Sequence, residues 1–456
     1  MAMLDFSDIQ GFILSSYSNN MPCANYLLLK ITDASLCRKW LAGITSNITN
    51  GIDRKSDYTL NIAFTAPGLK ALGFTDEDMS TFSLPFQEGM STPIRQQLLG
   101  DSGNSAPEKW SWGYKENEVD ILLLLFASGE DELSRLMTLR LAEISSGIGV
   151  RKIESLFAGR QPDAKEHFGF LDGIGQPVIE GTGLEEKQLS RTGHATVIKA
   201  GEFILGHDNE MLQPDPLPTG LQMQDFGLNG TYLVFRQLEQ HVHEFWNYLL
   251  EKTRDSEGNV SQAAQDELGA KIVGRWKSGA PITIHRHADP AIPPAINQDN
   301  NFTFAAKDGS GFGCPFGAHI RRTNPRDSLF DDPEISIRTV KRHHIIRRGR
   351  SYGDRSENVY ADDGIKRGLH FICLNSNIER QFEFIQQNWA NNPSFNALNN
   401  ETDPLIGQRN ENNIFSVQGC PVRTRVHDLP EFVTTKGGAY FFMPGIKALM
   451  RLVGDV

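Results

Sequence analysis

The stretch NYLLLKITDASLCRKWLAGI (residues 25–44) joins an apolar run directly to a segment in which apolar side chains recur at helical spacing. This pattern predicts a β-strand that is followed at once by an α-helix. The same pattern recurs in VDILLLLFASGEDELSRLMTLRLAEI (119–144), TYLVFRQLEQHVHEFWNYLLEK (231–252) and LHFICLNSNIERQFEFIQQNW (369–389). Because a repeated unit defines an architecture more firmly than local detail does, we expect four strand–helix units.

Two such units in each half of the chain, with further strands between them, predict an α+β fold. We expect two ferredoxin-like units with antiparallel sheets and peripheral helices. A chain of 456 residues is also longer than one hydrophobic core usually organises. The stretch 206–230 is rich in proline, glycine, aspartate and asparagine, so it predicts the connection between the units. We therefore divide the chain into domains 1–215 and 216–456.

Composition and charge exclude several classes of protein. The formal net charge is −11 and the basic residues are dispersed, apart from a short cluster at 338–350, so we expect no nucleic-acid partner. The most apolar run, 121–127, is far shorter than the ~20 residues of a membrane-spanning helix, and no membrane partner is expected. Five scattered cysteines without a Cys-x-x-Cys pair argue against disulfides or a zinc ribbon. Together with an N-terminus that lacks the pattern of a secretory signal, they predict a cytoplasmic protein.

Two pairs of histidines are candidate metal sites. His241 and His243 are predicted to lie on a helix, where positions two apart point about 200° apart, so they cannot share one ion. If PITIHRH (281–287) forms a strand, His285 and His287 lie on one face and could bind a metal, although no third ligand follows at a readable spacing. A structural role for this second pair is the alternative.

His319 lies in a different setting, in GCPFGAHIRRTNPRD (313–327). Small and apolar residues precede it, and Arg321, Arg322 and Arg326 follow. A neutral imidazole on a close-packed loop, with arginines nearby to meet acidic groups, is what an axial haem ligand and the haem propionates require. A packed core histidine without a ligand is the alternative.

The stretch EHFGFLDGIGQP (166–177) places Asp172 among glycines and apolar residues. Asp before Gly is a common turn pair, and a turn would expose the carboxylate to water. The alternative is a buried carboxylate that needs a partner, because an unpaired one loses several kcal/mol on leaving water. Arg347, in HHIIRRGRSYG (343–353), is a candidate partner, since a guanidinium always stays charged.

Taken together, GFLDGIGQP (169–177), CPFGAHIRRTNPR (314–326) and IIRRGRSYG (345–353) resemble the dye-decolorizing peroxidase family, particularly its larger bacterial and fungal members. Further blocks resemble the same family in the same order, from the first strand to the C-terminus: IQGFIL (9–14), GEFILGH (201–207), GTYLVFRQLEQ (230–240), GRWKSGAPI (274–282) and GGAYFFMPG (437–445). The resemblance implies two ferredoxin-like units packed around haem, in the architecture of the dimeric α/β-barrel superfamily.

The resemblance also implies roles for individual residues. Asp172 would be the distal acid/base, Arg347 the distal cation and His319 the proximal ligand of the iron in haem b. Asp403 would accept the ring N–H of that histidine. The remaining implied positions are the cofactor contacts Leu369, Phe371, Arg321 and Arg326, and Tyr352, a candidate surface electron-transfer site that a half-buried structural tyrosine explains equally well.

These roles imply a peroxidase that reduces hydrogen peroxide and oxidises bulky aromatic or dye substrates in one-electron steps, as a monomer or homodimer. Asp172 would move a proton between the two peroxide oxygens while Arg347 stabilises the charge that develops. Two alternatives stay open. One is a haem protein of another activity, such as chlorite breakdown or iron release from haem, and the other is a non-haem α/β-barrel binding module.

Overall fold

The computed structural model describes residues 4–53, 55–192, 195–291, 298–409 and 413–454. The strands are β1 (Cys23–Ile31), β2 (Tyr58–Phe64), β3 (Ile121–Ala127), β4 (Val150–Gly159), β5 (Val178–Ile179), β6 (Val197–Ile198), β7 (Thr231–Gln240), β8 (Ile346–Arg347), β9 (Arg350–Tyr352), β10 (Gly368–Asn375), β11 (Phe415–Val417), β12 (Thr424–Val426) and β13 (Val433–Met443). The α-helices are α1 (Gly11–Leu14), α2 (Ala34–Thr45), α3 (Ala66–Ala71), α4 (Asp76–Ser80), α5 (Leu84–Glu88), α6 (Pro93–Leu99), α7 (Glu130–Ser145), α8 (Glu185–Thr192), α9 (Val242–Lys252), α10 (Gln262–Val273), α11 (Phe304–Asp308), α12 (His319–Thr323), α13 (Pro333–Lys341) and α14 (Ile446–Val453). Two further segments, Glu379–Glu383 and Ile385–Ala390, are π-helical.

The first four strands form an antiparallel sheet in the order β4–β1–β3–β2. Because α2 follows β1 and α7 follows β3, this half has the βαββαβ order of a ferredoxin-like unit. In the second sheet β7 lies between β13 and β10, and β8 and β9 pair with the far edge of β10. The helix α9 follows β7 and the π-helical segments follow β10, so the second half repeats the first. The predicted fold class and the four strand–helix units are confirmed, although the fourth helix is π-helical.

The two sheets close on each other. The pair Phe64 and Phe442 joins β2 to β13, and the pair Gly159 and Ser351 joins β4 to β9. Because β7 also pairs with β10, the main strands form a continuous ring. Alternate side chains fill the inside of the ring, and the others pack under the outer helices. The inner core includes Tyr26, Phe126, Phe235, Ile372 and Phe441, and the outer core includes Leu27, Trp40, Leu125, Val234 and Tyr440.

A long connection, residues 160–230, links β4 to β7 and contains β5, β6 and α8. It packs back onto the second half of the chain, where Asp215 accepts hydrogen bonds from Arg380 and Ser376. The domain boundary between residues 215 and 216 falls within this connection and stays a prediction. In the described part of the chain, no helix is long and apolar enough to cross a membrane.

Phe442 supports both sheets, because its buried ring lies 5.3 Å from the ring of Phe82, 5.6 Å from that of Tyr232 and 5.9 Å from that of Phe226, between centroids. We expect Phe442→Ala to lower the free energy of unfolding by ~3–5 kcal/mol, since it leaves a cavity in a rigid cluster of rings.

Phe330→Ala is the matched control for this substitution, because the Phe330 side chain is 51% exposed. Its removal should change the free energy of unfolding by less than ~0.5 kcal/mol. Denaturant unfolding followed by fluorescence measures both variants. Equal effects of the two substitutions would contradict a packing role for Phe442.

Candidate active site

A cavity of about 1060 Å³ opens beside the second sheet. Its wall combines the loop after β4, strands β8 to β10 and the segment around α12. Small-molecule and cofactor sites typically occupy ~300–1,000 Å³, so this cavity can hold a large cofactor and still open to solvent. The residues in its wall that can carry chemistry include Glu166, Asp172, Arg275, His319, Arg326 and Arg347.

Asp172 and Arg347 form an ion pair in the cavity wall, with 3.5 Å between Asp172 Oδ1 and Arg347 Nη1. The Gly173 N–H donates to Asp172 Oδ1, and Arg347 Nη2 donates to the Ile174 carbonyl. The backbone N–H of Arg347 donates to Gln176 Oε1, so the loop and β8 hold each other. The Asp172 and Arg347 side chains are 45% and 39% exposed. Asp172 therefore occupies a turn, but this turn faces the cavity and its partner is Arg347.

His319 is the first residue of α12 and lines the same cavity. Its Nδ1 lies 2.9 Å from Oδ2 of Asp403, a fully buried carboxylate whose Oδ1 accepts the N–H groups of Leu405 and Ile406. Burial alone would raise the pKa of Asp403, but the His319 ring, the Ile406 N–H and nearby Arg322 hold it below its ordinary value. An ionised Asp403 accepts the Nδ1 proton, which leaves Nε2 of His319 available to a ligand.

Strand β10 supplies an apolar part of the wall. Side chains alternate along a strand, so Leu369 and Phe371 share one face and His370 and Ile372 share the other. Leu369 and Phe371 line the cavity, whereas His370 packs edge to face against Phe235 inside the ring of strands. The structure thus brings both predicted apolar residues to the same cavity as the ion pair.

Two arginines, the buried Arg275 and the half-buried Arg326, line the cavity with neutral hydrogen-bond partners. Arg326 Nη1 donates to the carbonyls of Asn300 and Phe302, and Arg275 Nη2 donates to Asn300 Oδ1, to which Arg326 Nη2 also donates. Burial, with the charges of Arg326 and Arg347, lowers the pKa of Arg275 to about 9, which leaves it protonated at neutral pH. This edge of the cavity is therefore positively charged and suits an anionic group.

Arg321 does not reach the cavity, which corrects the prediction that it contacts a cofactor. Its side chain is 1% exposed, donates to the carbonyls of Cys314 and Asp308, and lies between the rings of Phe304 and Phe316. Positions two apart on a helix point about 200° apart, so α12 cannot direct both its first and its third residue to one side. Arg321 instead stabilises the loop that precedes α12.

Tyr352 is half-buried, and its ring stacks on His370 with 4.5 Å between centroids. Its backbone carbonyl accepts a hydrogen bond from His167 Nε2. Burial, with the nearby charge of Glu239, raises the pKa of the phenol. This geometry fits the structural interpretation of Tyr352, and its role in electron transfer stays a prediction.

Sequence reasoning missed several titratable residues of the wall, among them Glu166, Arg275 and His344. Each has a signal, because Glu166 opens the quoted EHFGFLDG stretch, Arg275 lies in GRWKSGAPI and His344 lies in HHIIRRGR. A short stretch of sequence does not determine which of several neighbouring polar side chains faces the cavity. Only the tertiary structure shows this. Burial lowers the pKa of His344 to about 4, which keeps this imidazole neutral at physiological pH.

His285 and His287, the second pair of candidate metal ligands, do not lie on the strand that was predicted for them. Residues 281–287 do not form a strand, because 282–284 make a turn, and His285 Nε2 lies 2.7 Å from Asp299 Oδ2. Among the residues that the structure describes, no group of three or more His, Cys, Asp or Glu side chains is arranged to hold a metal ion. The contact with Asp299 favours the structural role for His285.

Comparison with known proteins agrees with the fold. Residues 8–156 match the family described as the DyP dimeric alpha+beta barrel domain. A dye-decolorizing peroxidase of Mycetinis scorodonius is 31% identical, over 99% of this chain and 88% of the relative. Another from Exidia glandulosa is 34% identical, over 98% of this chain and 87% of the relative. The crystal structure of a fungal DyP-type peroxidase from Auricularia auricula-judae matches with a TM-score of 0.81 at 29% identity, over 100% of both chains.

A dye-decolorizing peroxidase in complex with 2,6-dimethoxyphenol also matches, with a TM-score of 0.81 at 29% identity over 99% of this chain and 100% of that one. The chain belongs to the dye-decolorizing peroxidase family, and it is a haem-dependent peroxidase. The family and the enzyme class predicted from the sequence motifs are confirmed.

Buried histidines make stability depend on pH. Burial lowers the pKa of His370 from 6.5 to about 3, so between these pH values the unfolded chain binds a proton that the folded chain does not. Stability must therefore rise with pH in this window, by up to ~1.4 kcal/mol per pH unit for one such group. We expect His370→Gln to remove this part of the slope, as measured by urea unfolding at several pH values.

His427→Gln is the control for this prediction, because His427 is exposed. It should leave the slope of stability against pH unchanged. A slope that is the same in His370→Gln as in the wild type would show that His370 does not resist protonation in the folded chain.

Proposed function

We propose that this peroxidase binds haem b, reduces hydrogen peroxide and oxidises aromatic reductants in one-electron steps. The observation that carries the proposal is that one cavity is lined both by His319, which Asp403 holds, and by the ion pair of Asp172 and Arg347. An imidazole backed by a carboxylate suits an iron ligand. A carboxylate beside a guanidinium suits proton transfer and charge stabilisation.

The cavity fits haem b in its size and in the character of its wall. Leu369 and Phe371 offer apolar surface to a porphyrin, and Arg275 and Arg326 offer positive charge to its propionates. Asn324 Oδ1, also in the wall, is buried without a hydrogen-bond partner among the described residues. When bound, haem supplies the iron that exchanges electrons with peroxide and with the reductant.

The distal residues handle the proton and the charge of the peroxide reaction. The carboxylate of Asp172 takes the proton from one oxygen of hydrogen peroxide and returns it to the other, so that water can leave. Arg347, which the Ile174 carbonyl orients, donates to the oxygen on which negative charge develops. Leu369 and Phe371 limit the access of bulk water to this transfer.

The proximal residues set the orientation and basicity of the iron ligand. Asp403 accepts the Nδ1–H of His319, which fixes the tautomer and directs the Nε2 lone pair away from Asp403. Because Asp403 is itself held by the N–H groups of Leu405 and Ile406, the imidazole cannot rotate freely. A fixed and basic imidazole is the ligand that a haem iron requires.

Phenols and dyes are proposed as the reductants, because a similar structure holds 2,6-dimethoxyphenol. Electron entry through Tyr352 is supported by its stacking on His370, which lies in β10 between the cavity residues Leu369 and Phe371. A reducing, cytoplasmic location is supported by the cysteines, all five of which are free.

The reaction of haem-loaded protein with hydrogen peroxide tests these roles. We expect Asp172→Asn to slow it by ~10²–10⁴, because an amide cannot accept the proton. Arg347→Leu should slow it as well, because the charge that develops is no longer stabilised. Stopped-flow absorbance of the haem band measures the rate constants.

Asp76→Asn is the control, because Asp76 is an exposed carboxylate that pairs with Lys70 away from the cavity wall. It should react at the wild-type rate. Wild-type rates in both Asp172→Asn and Arg347→Leu would overturn the assigned roles.

Parallel assays on one preparation separate the alternative functions. Peroxide-dependent dye oxidation, without chlorite breakdown or release of iron from haem, supports the proposal. Chlorite breakdown or iron release as the dominant reaction would favour another haem activity. Failure to bind added hemin would favour a non-haem binding module.

A further inference from the structure

A half-buried carboxylate lies in the loop that carries Asp172. Glu166 Oε1 accepts the N–H of Phe170 and Glu166 Oε2 accepts the N–H of Phe168, each at 2.8 Å. Gln240 Nε2 donates to the same Oε2 at 2.6 Å. Three donors therefore converge on the Glu166 carboxylate, and all three are neutral.

The backbone of the same loop closes around this carboxylate. The N–H of Glu166 donates to the Phe170 carbonyl, and the N–H of Gly169 donates to the Glu166 carbonyl. The N–H of Asp172 donates to the carbonyl of Ala164. The side chain of Glu166 thus lies at the centre of the segment that ends at Asp172.

The loop is also tied to the second half of the chain. Gln240 is the last residue of β7, so its hydrogen bond to Glu166 connects the loop to the second sheet. The rings of Phe168 and Phe170 pack on Phe245 of α9, at 4.5 Å and 6.3 Å between centroids. Gln240 Oε1 is buried without a hydrogen-bond partner among the described residues.

The surroundings of Glu166 favour its protonated, neutral form. Burial raises the pKa of Glu166 to about 7, and the negative charge of Asp172 adds to this, although the three accepted hydrogen bonds oppose it. Arg355 interacts with Glu166 from a neighbouring segment, but its guanidinium pairs with Asp163 at 2.7 Å. Burial lowers the pKa of adjacent His167 to about 4, so that ring adds no positive charge at neutral pH.

We propose that Glu166 is a positioning residue for Asp172: its carboxylate holds the loop through Phe168 and Phe170, and its negative charge strengthens Asp172 as a proton acceptor. The proposal rests on the peroxidase function proposed above. A neighbouring negative charge makes a carboxylate bind a proton more readily. Protonation of Glu166 removes this charge and one accepted hydrogen bond, unless the Gln240 amide turns to present Oε1. The ionised form of Glu166 therefore supports the peroxide reaction.

The pH profile of the peroxide reaction tests the proposal in haem-loaded protein. The wild-type rate constant should rise with pH through an inflection at about 7, where Glu166 ionises. Glu166→Gln should remove the inflection and lower the rate constant about tenfold above it, a smaller loss than removal of the base itself. Glu166→Asp, which keeps the charge, should restore part of the rate. A Glu166→Gln variant with the wild-type profile would overturn the proposal.

Glu180→Gln is the matched control for the pH profile, because Glu180 pairs with Lys199. It should keep the wild-type inflection and rate constant. A double variant then shows whether Glu166 affects the rate constant through Asp172 or independently of it. If Glu166 acts through Asp172, adding Glu166→Gln to Asp172→Asn lowers the rate constant no further, whereas losses that multiply would overturn the proposal.

Hydrogen exchange over residues 164–172 gives a readout that does not require activity. Glu166→Gln should accelerate exchange at the amide of Phe168 or of Phe170, because one of the two acceptor oxygens becomes an NH2 group. Unchanged exchange would overturn the proposal.

If Glu166→Gln does not fold, Gln240→Leu replaces it in the pH profile. Loss of this hydrogen-bond donor should move the inflection to higher pH, and an inflection that stays or falls would overturn the proposal.

A wild-type protein that fails to react with peroxide at any pH would overturn the proposed function. In that case the exchange measurement still decides whether Glu166 organises the loop. The two failures are therefore distinguishable.

Discussion

The antiparallel pairing of β10 with β7 on one side, and with β8 and β9 on the other, determines the site. Its register places Arg347 opposite Cys373. Because side chains alternate along a strand, the same register turns Leu369 and Phe371 toward the cavity and His370 toward the inside of the ring. A shift of the β10 register by one residue would turn each of its side chains to the opposite face of the sheet. One hydrogen-bond ladder thus positions both the guanidinium of Arg347 and the apolar wall.

Closure of the two sheets is the second requirement. Asp172 lies in a loop that follows β4, whereas Arg347 lies on β8, so the ion pair forms only when the two halves meet. The hydrogen bonds from Arg347 to Ile174 and from Gln240 to Glu166 cross this junction. The proximal pair comes entirely from the second half. The cavity with its ion pair therefore needs both ferredoxin-like units, although the second supplies most of the cavity wall.

Local patterns explain why much of the fold is readable from the sequence. The apolar run 121–127 and the helical spacing after it predict a strand followed by a helix, and β3 is followed by α7. His319 is also readable, because its glycine-rich and arginine-rich surroundings are distinctive. The sequence does not show which of Arg321 and Arg326 lines the cavity, because this depends on the residue at which α12 begins. Glu166 is missed for a related reason, because the amide that donates to it comes from β7, far along the chain.

Equilibrium titration with hemin tests most directly whether His319 is the iron ligand that Asp403 holds. The wild-type protein should bind hemin tightly and show the absorbance band of a histidine-ligated haem. His319→Ala should lose that band and recover it with added imidazole, and Asp403→Asn should bind with an affinity lowered ~10–100-fold. His285→Ala is the control, because His285 contacts Asp299. It should bind hemin with the affinity and the absorbance band of the wild type. Unchanged affinity and an unchanged spectrum in His319→Ala would contradict the assignment of the proximal ligand.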